Sequence, residues 1–125
     1  QYKFVLPIHP NPNVQKHRDL LKSVSVIDPV PYDKFLDLLA SCSYVITDSG
    51  GLQEETSFLG KRSIVCRKTT ERPEGLGDFS TLCGEPEGLY SAFRKMCDSP
   101  EPTGKCPYGD GKSSKRIVNI LLEEL

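Results

Sequence analysis

The sequence predicts an α/β fold built on a doubly wound parallel sheet, in one domain that covers residues 1–125. Short apolar segments alternate with amphipathic helical segments along the chain, which is the pattern of successive βαβ units. The strand-like segments are continuously apolar, as expected when helices cover both faces of a sheet. A hydrophobic fraction of 37% over 125 residues is enough for one core.

Two strand–helix pairs are predicted in the first third of the chain. The clearer helix has Phe35, Leu38 and Leu39 at spacing i, i+3 and i+4, which is typical of an amphipathic helix with one buried face. In chain order, the predicted elements are a strand at 4–8, a helix at 14–22, a strand at 24–30 and a helix at 32–41.

The same alternation continues to the C-terminus. Gly60 is placed to end a helix, because glycine adopts the left-handed backbone that follows many helix C-termini. A helix after residue 111 has its apolar residues on one side. The elements before it are a strand at 44–47, a helix at 52–59, a strand at 63–66, a loop at 67–77, a doubtful strand at 81–83 and a helix at 87–97.

Charge and cysteine content exclude several classes of protein. The 16 Lys and Arg residues are balanced by 17 Asp and Glu residues, so neither a nucleic-acid groove nor a basic membrane-binding face is expected. The longest apolar runs are too short to span a bilayer. Five widely spaced cysteines without a Cys-x-x-Cys pair argue against disulfides and a metal site, and they favour a cytoplasmic protein.

Three polar clusters follow predicted strands at the point where each strand ends. They are residues 9–13 (HPNPN), 48–51 (DSGG) and 68–74 (KTTERPE). Ligands of open parallel sheets bind outside the carboxyl ends of the strands. The clusters therefore predict a ligand site at one edge of the sheet.

The turn formed by Ser49, Gly50 and Gly51 has two interpretations from the residues alone. Two glycines allow a ligand to approach the backbone closely, and the N–H groups and dipole of the following helix suit a phosphate. The alternative is a tight strand-to-helix turn capped by Asp48 or Ser49. The pair of glycines does not decide between them, because the segment is not a Walker loop.

Neighbouring charged residues also allow more than one role. Glu54 is expected to be an exposed first-turn carboxylate that stabilises the helix dipole. Glu55 lies on the inward stripe of the helix, so its carboxylate needs hydrogen-bond donors such as sugar hydroxyls. On residue type alone, Arg72 forms an ion pair with Glu71 or Glu74, and His9 is a structural histidine at a strand end.

Four segments together resemble one family, the non-hydrolysing UDP-N-acetylglucosamine 2-epimerases. In the family's order, they are residues 9–14 (HPNPNV), 47–55 (TDSGGLQEE), 69–74 (TTERPE) and 107–111 (PYGDG). The resemblance implies a Rossmann-like sheet that forms the C-terminal domain of a two-domain, glycosyltransferase-B-type fold. The N-terminal catalytic domain is then absent from this chain, and the last helix is expected to be only partly supported.

The resemblance also implies substrate-binding roles for seven residues. Following the ligand, these are Phe35 at the uracil, Glu55 at the ribose hydroxyls, Ser49, Gly50 and Gly51 at the diphosphate, Arg72 at the nucleotide-sugar and His9 in the cleft near the nucleotide. The role of Arg72 overrides its interpretation as an internal ion pair. No catalytic residue is expected here, because the family's acid and base carboxylates come from the absent domain.

The implied reaction interconverts UDP-GlcNAc and UDP-ManNAc by elimination and re-addition of UDP, with no cofactor. The resemblance further implies a homodimer that acts in polysaccharide biosynthesis. Two alternatives remain: a half-domain of a UDP-sugar glycosyltransferase, which shares the architecture, and a non-catalytic module that senses a sugar nucleotide. Turnover by a full-length protein without an acceptor would separate the epimerase from the transferase.

Overall fold

The computed structural model describes residues 1–125, which form two compact units, Gln1–Ala40 and Ser41–Leu125. Each unit contains one sheet of parallel strands with intervening helices, so the predicted α/β class is confirmed. The assignment of residues 1–125 to a single domain stays a prediction. None of the helices has the length and apolar character needed to cross a membrane.

The first unit contains a two-stranded parallel sheet, and Ile8 and Leu39 are its buried apolar residues. The half-buried Phe35 and Leu38 share the predicted inward stripe with Leu39. The elements are β1 (Val5–Pro7), α1 (Pro12–Gln15), β2 (Ser25–Ile27) and α2 (Tyr32–Ser41), with a 3-10 turn at Arg18–Leu20 between α1 and β2.

The helix predicted at 14–22 is wrong in both its start and its length. The side chain of Asn11 accepts a hydrogen bond from the backbone N–H of Asn13 at 2.9 Å, and Pro12 occupies the first turn, so the helix begins earlier. It has no buried residue, and Leu20 is 78% exposed. Because short helices depend on packing for their stability, α1 ends after one turn.

The second unit contains a three-stranded parallel sheet in the order β3-β4-β5. Its core is formed by Val45, Ile64, Val65, Phe79 and Met96. The elements are β3 (Tyr44–Thr47), α3 (Gly50–Phe58), β4 (Arg62–Val65), β5 (Ser80–Leu82), α4 (Leu89–Cys97) and α5 (Ser113–Glu124), with 3-10 turns at Pro73–Gly75 and Pro86–Gly88. The doubtful fifth strand is therefore present.

Two features of this unit position the candidate site. Gly60 has a φ of +67°, so it turns the chain after α3 as predicted. The carboxyl ends of β3 and β4 are adjacent, because Thr47 is the register partner of Val65. The polar segments that follow these strands therefore leave the sheet on the same edge.

Candidate functional site

The turn between β3 and α3 places Ser49 at the N-terminus of α3. Ser49 has an extended backbone and is exposed, and its N–H donates to Thr47 Oγ1 at 3.0 Å. No side chain caps the helix, which disfavours the interpretation of this segment as a capped turn only. The first N–H groups of α3 have no acceptor within the helix, so they can bind an anion.

Gly50 is buried because the side chain of Arg72 lies directly against it. A Cβ at this position would overlap the guanidinium of Arg72 and the carboxylate of Glu71. Glycine is therefore required for the close approach of the two segments. The contact places a permanent cation beside the positive end of the α3 dipole.

Two carboxylates hold the guanidinium of Arg72 and leave its terminal nitrogen Nη2 available for a further hydrogen bond. Its Nε donates to Glu54, and its Nη1 donates to Glu71 Oε1 at 2.6 Å. The second oxygen of Glu71 accepts from Arg67 Nη1 at 2.8 Å. Because Nη2 makes no bond to the chain, it can donate to a further acceptor while both ion pairs remain.

These contacts also shift the pKa values of the two partners. The hydrogen bond to Glu54 raises the pKa of Arg72 further above its usual range. A backbone hydrogen bond lowers the pKa of Glu71, with the charges of Arg67 and Arg72 acting in the same direction. Both groups are therefore charged at neutral pH. The prediction of Glu54 as a first-turn dipole stabiliser is wrong, because α3 begins at Gly50 and has no acidic residue in its first turn; Glu54 pairs with Arg72 instead.

Buried hydrogen bonds fix the backbone of the segment that carries Arg72. Gln53 on α3 is fully buried, and its Nε2 donates to Thr70 Oγ1 at 2.9 Å. The same Thr70 oxygen accepts from the N–H of Arg72 at 3.1 Å. The segment is thus attached to α3 at a position two residues before the guanidinium.

A tyrosine far along the chain attaches the other side of this segment. The hydroxyl of Tyr108 donates to the carbonyl oxygen of Arg72 at 2.9 Å and accepts from the N–H of Gly75 at 3.1 Å. The sequence analysis included Tyr108 in a family-like segment but gave it no role. Gln53 and Thr70 were also missed, although both lie within such segments.

The structure gives the positions of the three other predicted site residues, Glu55, Phe35 and His9. Glu55 is half-buried on α3. In the first unit, Phe35 is half-buried on α2, and His9 is exposed just after β1. The Nδ1 of His9 accepts from the N–H of Asn11 at 3.1 Å, so the proton of the neutral ring is on Nε2. The ligand contacts expected of all seven residues stay predictions.

A model of the family described as UDP-N-acetylglucosamine 2-epimerase matches residues 1–122 of this chain. The chain is 40% identical over 133 residues to the UDP-N-acetylglucosamine 2-epimerase of Neisseria meningitidis, covering 98% of this chain and 36% of the relative. It is 37% identical over 130 residues to the enzyme of that name from Campylobacter jejuni, covering 95% of this chain and 34% of the relative. The chain thus spans about a third of the length of these relatives.

Solved structures agree with this match. The N. meningitidis UDP-GlcNAc 2-epimerase bound to UDP-GlcNAc has a TM-score of 0.81 at 38% identity, covering 98% of this chain and 36% of that one. The Methanocaldococcus jannaschii enzyme in complex with UDP-GlcNAc and UDP has a TM-score of 0.84 at 35% identity, covering 97% and 36%. The predicted fold class, the C-terminal domain of a glycosyltransferase-B-type fold, is confirmed.

Proposed function

Because this chain belongs to the UDP-N-acetylglucosamine 2-epimerase family, we propose that it is the UDP-binding part of an enzyme that interconverts UDP-GlcNAc and UDP-ManNAc. The observation that carries the proposal is the packing of the Arg72 guanidinium against Gly50 at the N-terminus of α3. This arrangement puts a cation and the helix N–H groups on one small surface. A diphosphate is the part of UDP that such a surface would bind.

The diphosphate contacts follow from the available donors. We propose that the N–H groups of Gly50 and Gly51 and the hydroxyl of Ser49 bind one phosphate, and that Nη2 of Arg72 binds the nucleotide-sugar. Glu54 and Glu71 remain on the other donors of Arg72, so they orient the guanidinium without occupying Nη2. The negative charges of Glu54 and Glu71 also weaken anion binding, which favours the release of UDP.

The other contacts rest on the family pattern. We propose that Glu55 accepts hydrogen bonds from the ribose hydroxyls, that Phe35 contacts the uracil and that His9 lies near the nucleotide. In the reaction, UDP leaves C1 as a proton is removed from C2, and re-addition inverts C2. The residues of this chain hold UDP between these two steps, and the proton transfers belong to the N-terminal domain.

The wider context is also a proposal. Five free cysteines are typical of a reducing compartment, which supports a cytoplasmic enzyme. We further propose that the whole protein is a homodimer with its own N-terminal domain and that its UDP-ManNAc feeds polysaccharide biosynthesis.

An amide chemical-shift titration tests the proposal. With UDP, we expect concentration-dependent shifts at Gly50, Gly51 and Glu55, and with ATP we expect none at these positions. Arg72→Gln should weaken UDP binding about tenfold or more, because a charge-assisted hydrogen bond to phosphate is lost. Arg94→Gln on the exposed face of α4 is the matched control and should bind normally. No shift at millimolar UDP, with a folded spectrum, would contradict the proposal.

A further inference from the structure

Two cysteines lie side by side just beyond the ends of β4 and β5. Val65 and Leu82 are the last register partners of these parallel strands. The N–H of Cys83 donates to the carbonyl oxygen of Val65 at 2.8 Å, which is the last hydrogen bond of this ladder. The N–H of Arg67 donates to the same oxygen at 2.8 Å, so the chain turns at Cys66. Cys66 and Cys83 each directly follow the last register pair, so they are neighbours at the strand ends although they are distant in sequence.

Side chains of register partners meet across these two strands. Ser63 and Ser80 are partners earlier in the same ladder, and their hydroxyl oxygens are 2.9 Å apart. Register partners in a parallel pair point to the same face, with backbones about 4.8 Å apart. Disulfides need Cα atoms about 4.4–6.8 Å apart, a range that includes the spacing of Val65 and Leu82, the pair directly before the two cysteines.

The two segments stay together beyond the cysteines. A Cβ on Gly84 would lie 3.0 Å from the Cα of Lys68, so the backbones remain in close contact there. The Nζ of Lys68 forms an ion pair with Glu85 Oε1 at 2.7 Å. Cys66 and Cys83 are thus enclosed between the strand ladder on one side and this contact on the other, which limits how far they can separate.

Both thiols are free, and one is open to small reagents. Cys66 is exposed, whereas Cys83 is half-buried and its Sγ donates to the carbonyl oxygen of Glu85 at 3.3 Å. A reagent therefore reaches Cys66 first. Cys83 then needs only to rotate away from one weak hydrogen bond to reach the sulfur of Cys66.

We propose that Cys66 and Cys83 are a dithiol modification site that forms an intramolecular disulfide by exchange with a low-molecular-weight disulfide. The Cys66 thiolate attacks one sulfur of the reagent, forms a mixed disulfide and releases one small thiol. The Cys83 thiolate then attacks the Cys66 sulfur and releases the second small thiol. The protein loses two protons and two electrons as one S–S bond forms, and the reagent is reduced to two thiols.

The disulfide is expected to be readily reversible. Exposed disulfides have more oxidising potentials than buried ones, and Cys66 is exposed. The site is thus suited to reversible modification and not to structural cross-linking. It does not depend on the proposed function, because neither cysteine is among the residues proposed to contact UDP.

Oxidised glutathione provides the direct test on the full chain. Partial desolvation of the Cys66 thiol, with the neighbouring Cys83 acting in the same direction, raises its pKa, so the incubation is done at mildly alkaline pH. Free thiols are then blocked with N-ethylmaleimide, and the peptides are mapped by mass spectrometry. We expect a Cys66–Cys83 linked peptide pair that dithiothreitol removes. Cys106→Ser, which changes a cysteine outside the pair, should give the same link.

Single variants distinguish the pair from two independent thiols. Cys83→Ser should retain glutathione as a stable mixed disulfide on Cys66, because the resolving thiol is absent. Glutathione on both cysteines of the unmodified sequence without a link, or a link to any other cysteine, would overturn the proposal.

A second measurement avoids oxidation altogether. Phenylarsine oxide bridges two neighbouring thiols, so it should bind the unmodified chain and Cys106→Ser with one equivalent at this pair. Cys66→Ser and Cys83→Ser should each lose this equivalent. Equal binding by all four proteins would overturn the proposal.

Discussion

Gly50 controls where the guanidinium of Arg72 can lie. In Gly50→Ala, the added methyl group would occupy the space of the guanidinium and of the Glu71 carboxylate. Both are ends of flexible side chains, so they can move aside with little effect on the free energy of unfolding. We expect UDP affinity to fall about tenfold, because the main cation leaves the N-terminus of α3. Isothermal titration calorimetry and urea unfolding measure the two effects.

Gly88→Ala is the matched control for this substitution. A Cβ there meets only Cys83 Sγ at 3.5 Å, an ordinary contact, and Gly88 already has helical backbone angles. Its UDP affinity should equal that of the unmodified chain. An affinity of Gly50→Ala that matches this control would contradict the assignment of Arg72 to the site.

The sequence reveals single residues of this site better than it reveals their partners. The turn at Ser49 was predictable, because neighbouring residues in the chain form the strand end, the glycines and the helix start. The ion pair of Glu54 with Arg72 was not predictable, because the two residues are 18 positions apart and only the course of the chain after β4 brings them together. Gly50 was predicted to permit the approach of a ligand, and the structure adds the approach of Arg72.

At the scale of elements, Tyr108 connects the C-terminal segment to the segment that carries Arg72. Tyr108→Phe removes the acceptor of the buried Gly75 N–H and the donor to the Arg72 carbonyl. We expect a loss of about 1–3 kcal/mol in the free energy of unfolding, the typical effect of leaving a buried donor unpaired. Faster amide exchange at Gly75 and weaker UDP binding should accompany it, because the segment loses its attachment.

Tyr90→Phe is the appropriate comparison for Tyr108→Phe. Tyr90 is 75% exposed on α4, so removal of its hydroxyl should leave stability, exchange and UDP binding unchanged. If the two variants behave alike in urea unfolding and at the Gly75 amide, the hydroxyl of Tyr108 does not hold this segment.

The C-terminal helix α5 is exposed along its whole length. Ile117, Val118 and Leu121 share one side and are 57%, 52% and 57% exposed. Bidentate hydrogen bonds from Arg116 to Asp110 hold only its first turn. Because a 12-residue helix without packing is marginally stable, we expect its amides to exchange much faster than those of α3, where Gln53 is fully buried.

Hydrogen exchange of the chain, read peptide by peptide, measures this difference. Protection of α5 equal to that of α3 at all protein concentrations would contradict the expectation. Protection that rises with concentration would show that self-association covers the apolar side.

For the first two predicted helices, the accuracy of the predicted bounds followed burial. Apolar periodicity predicted the correct bounds of α2, whose inward stripe includes the buried Leu39. It failed for the helix predicted at 14–22, where Leu20 is exposed and the spacing of apolar residues has no packing partner. For α1, apolar spacing without packing thus gave the wrong bounds, whereas the predicted last helix forms as α5 although its apolar side is exposed.

At the scale of the whole molecule, the chain is expected to bind UDP without catalysing epimerisation. It spans about a third of the length of its relatives. We proposed above that the acid and base groups belong to the rest of the enzyme. Incubation with UDP-GlcNAc in D2O should therefore give neither UDP-ManNAc nor deuterium at C2 by proton NMR. The N. meningitidis relative, run in parallel, should give both, because removal and return of the C2 proton exchange it with solvent. Deuterium at C2 with this chain alone would show that a base for the reaction lies within residues 1–125, and the division of labour proposed between the two domains would be wrong.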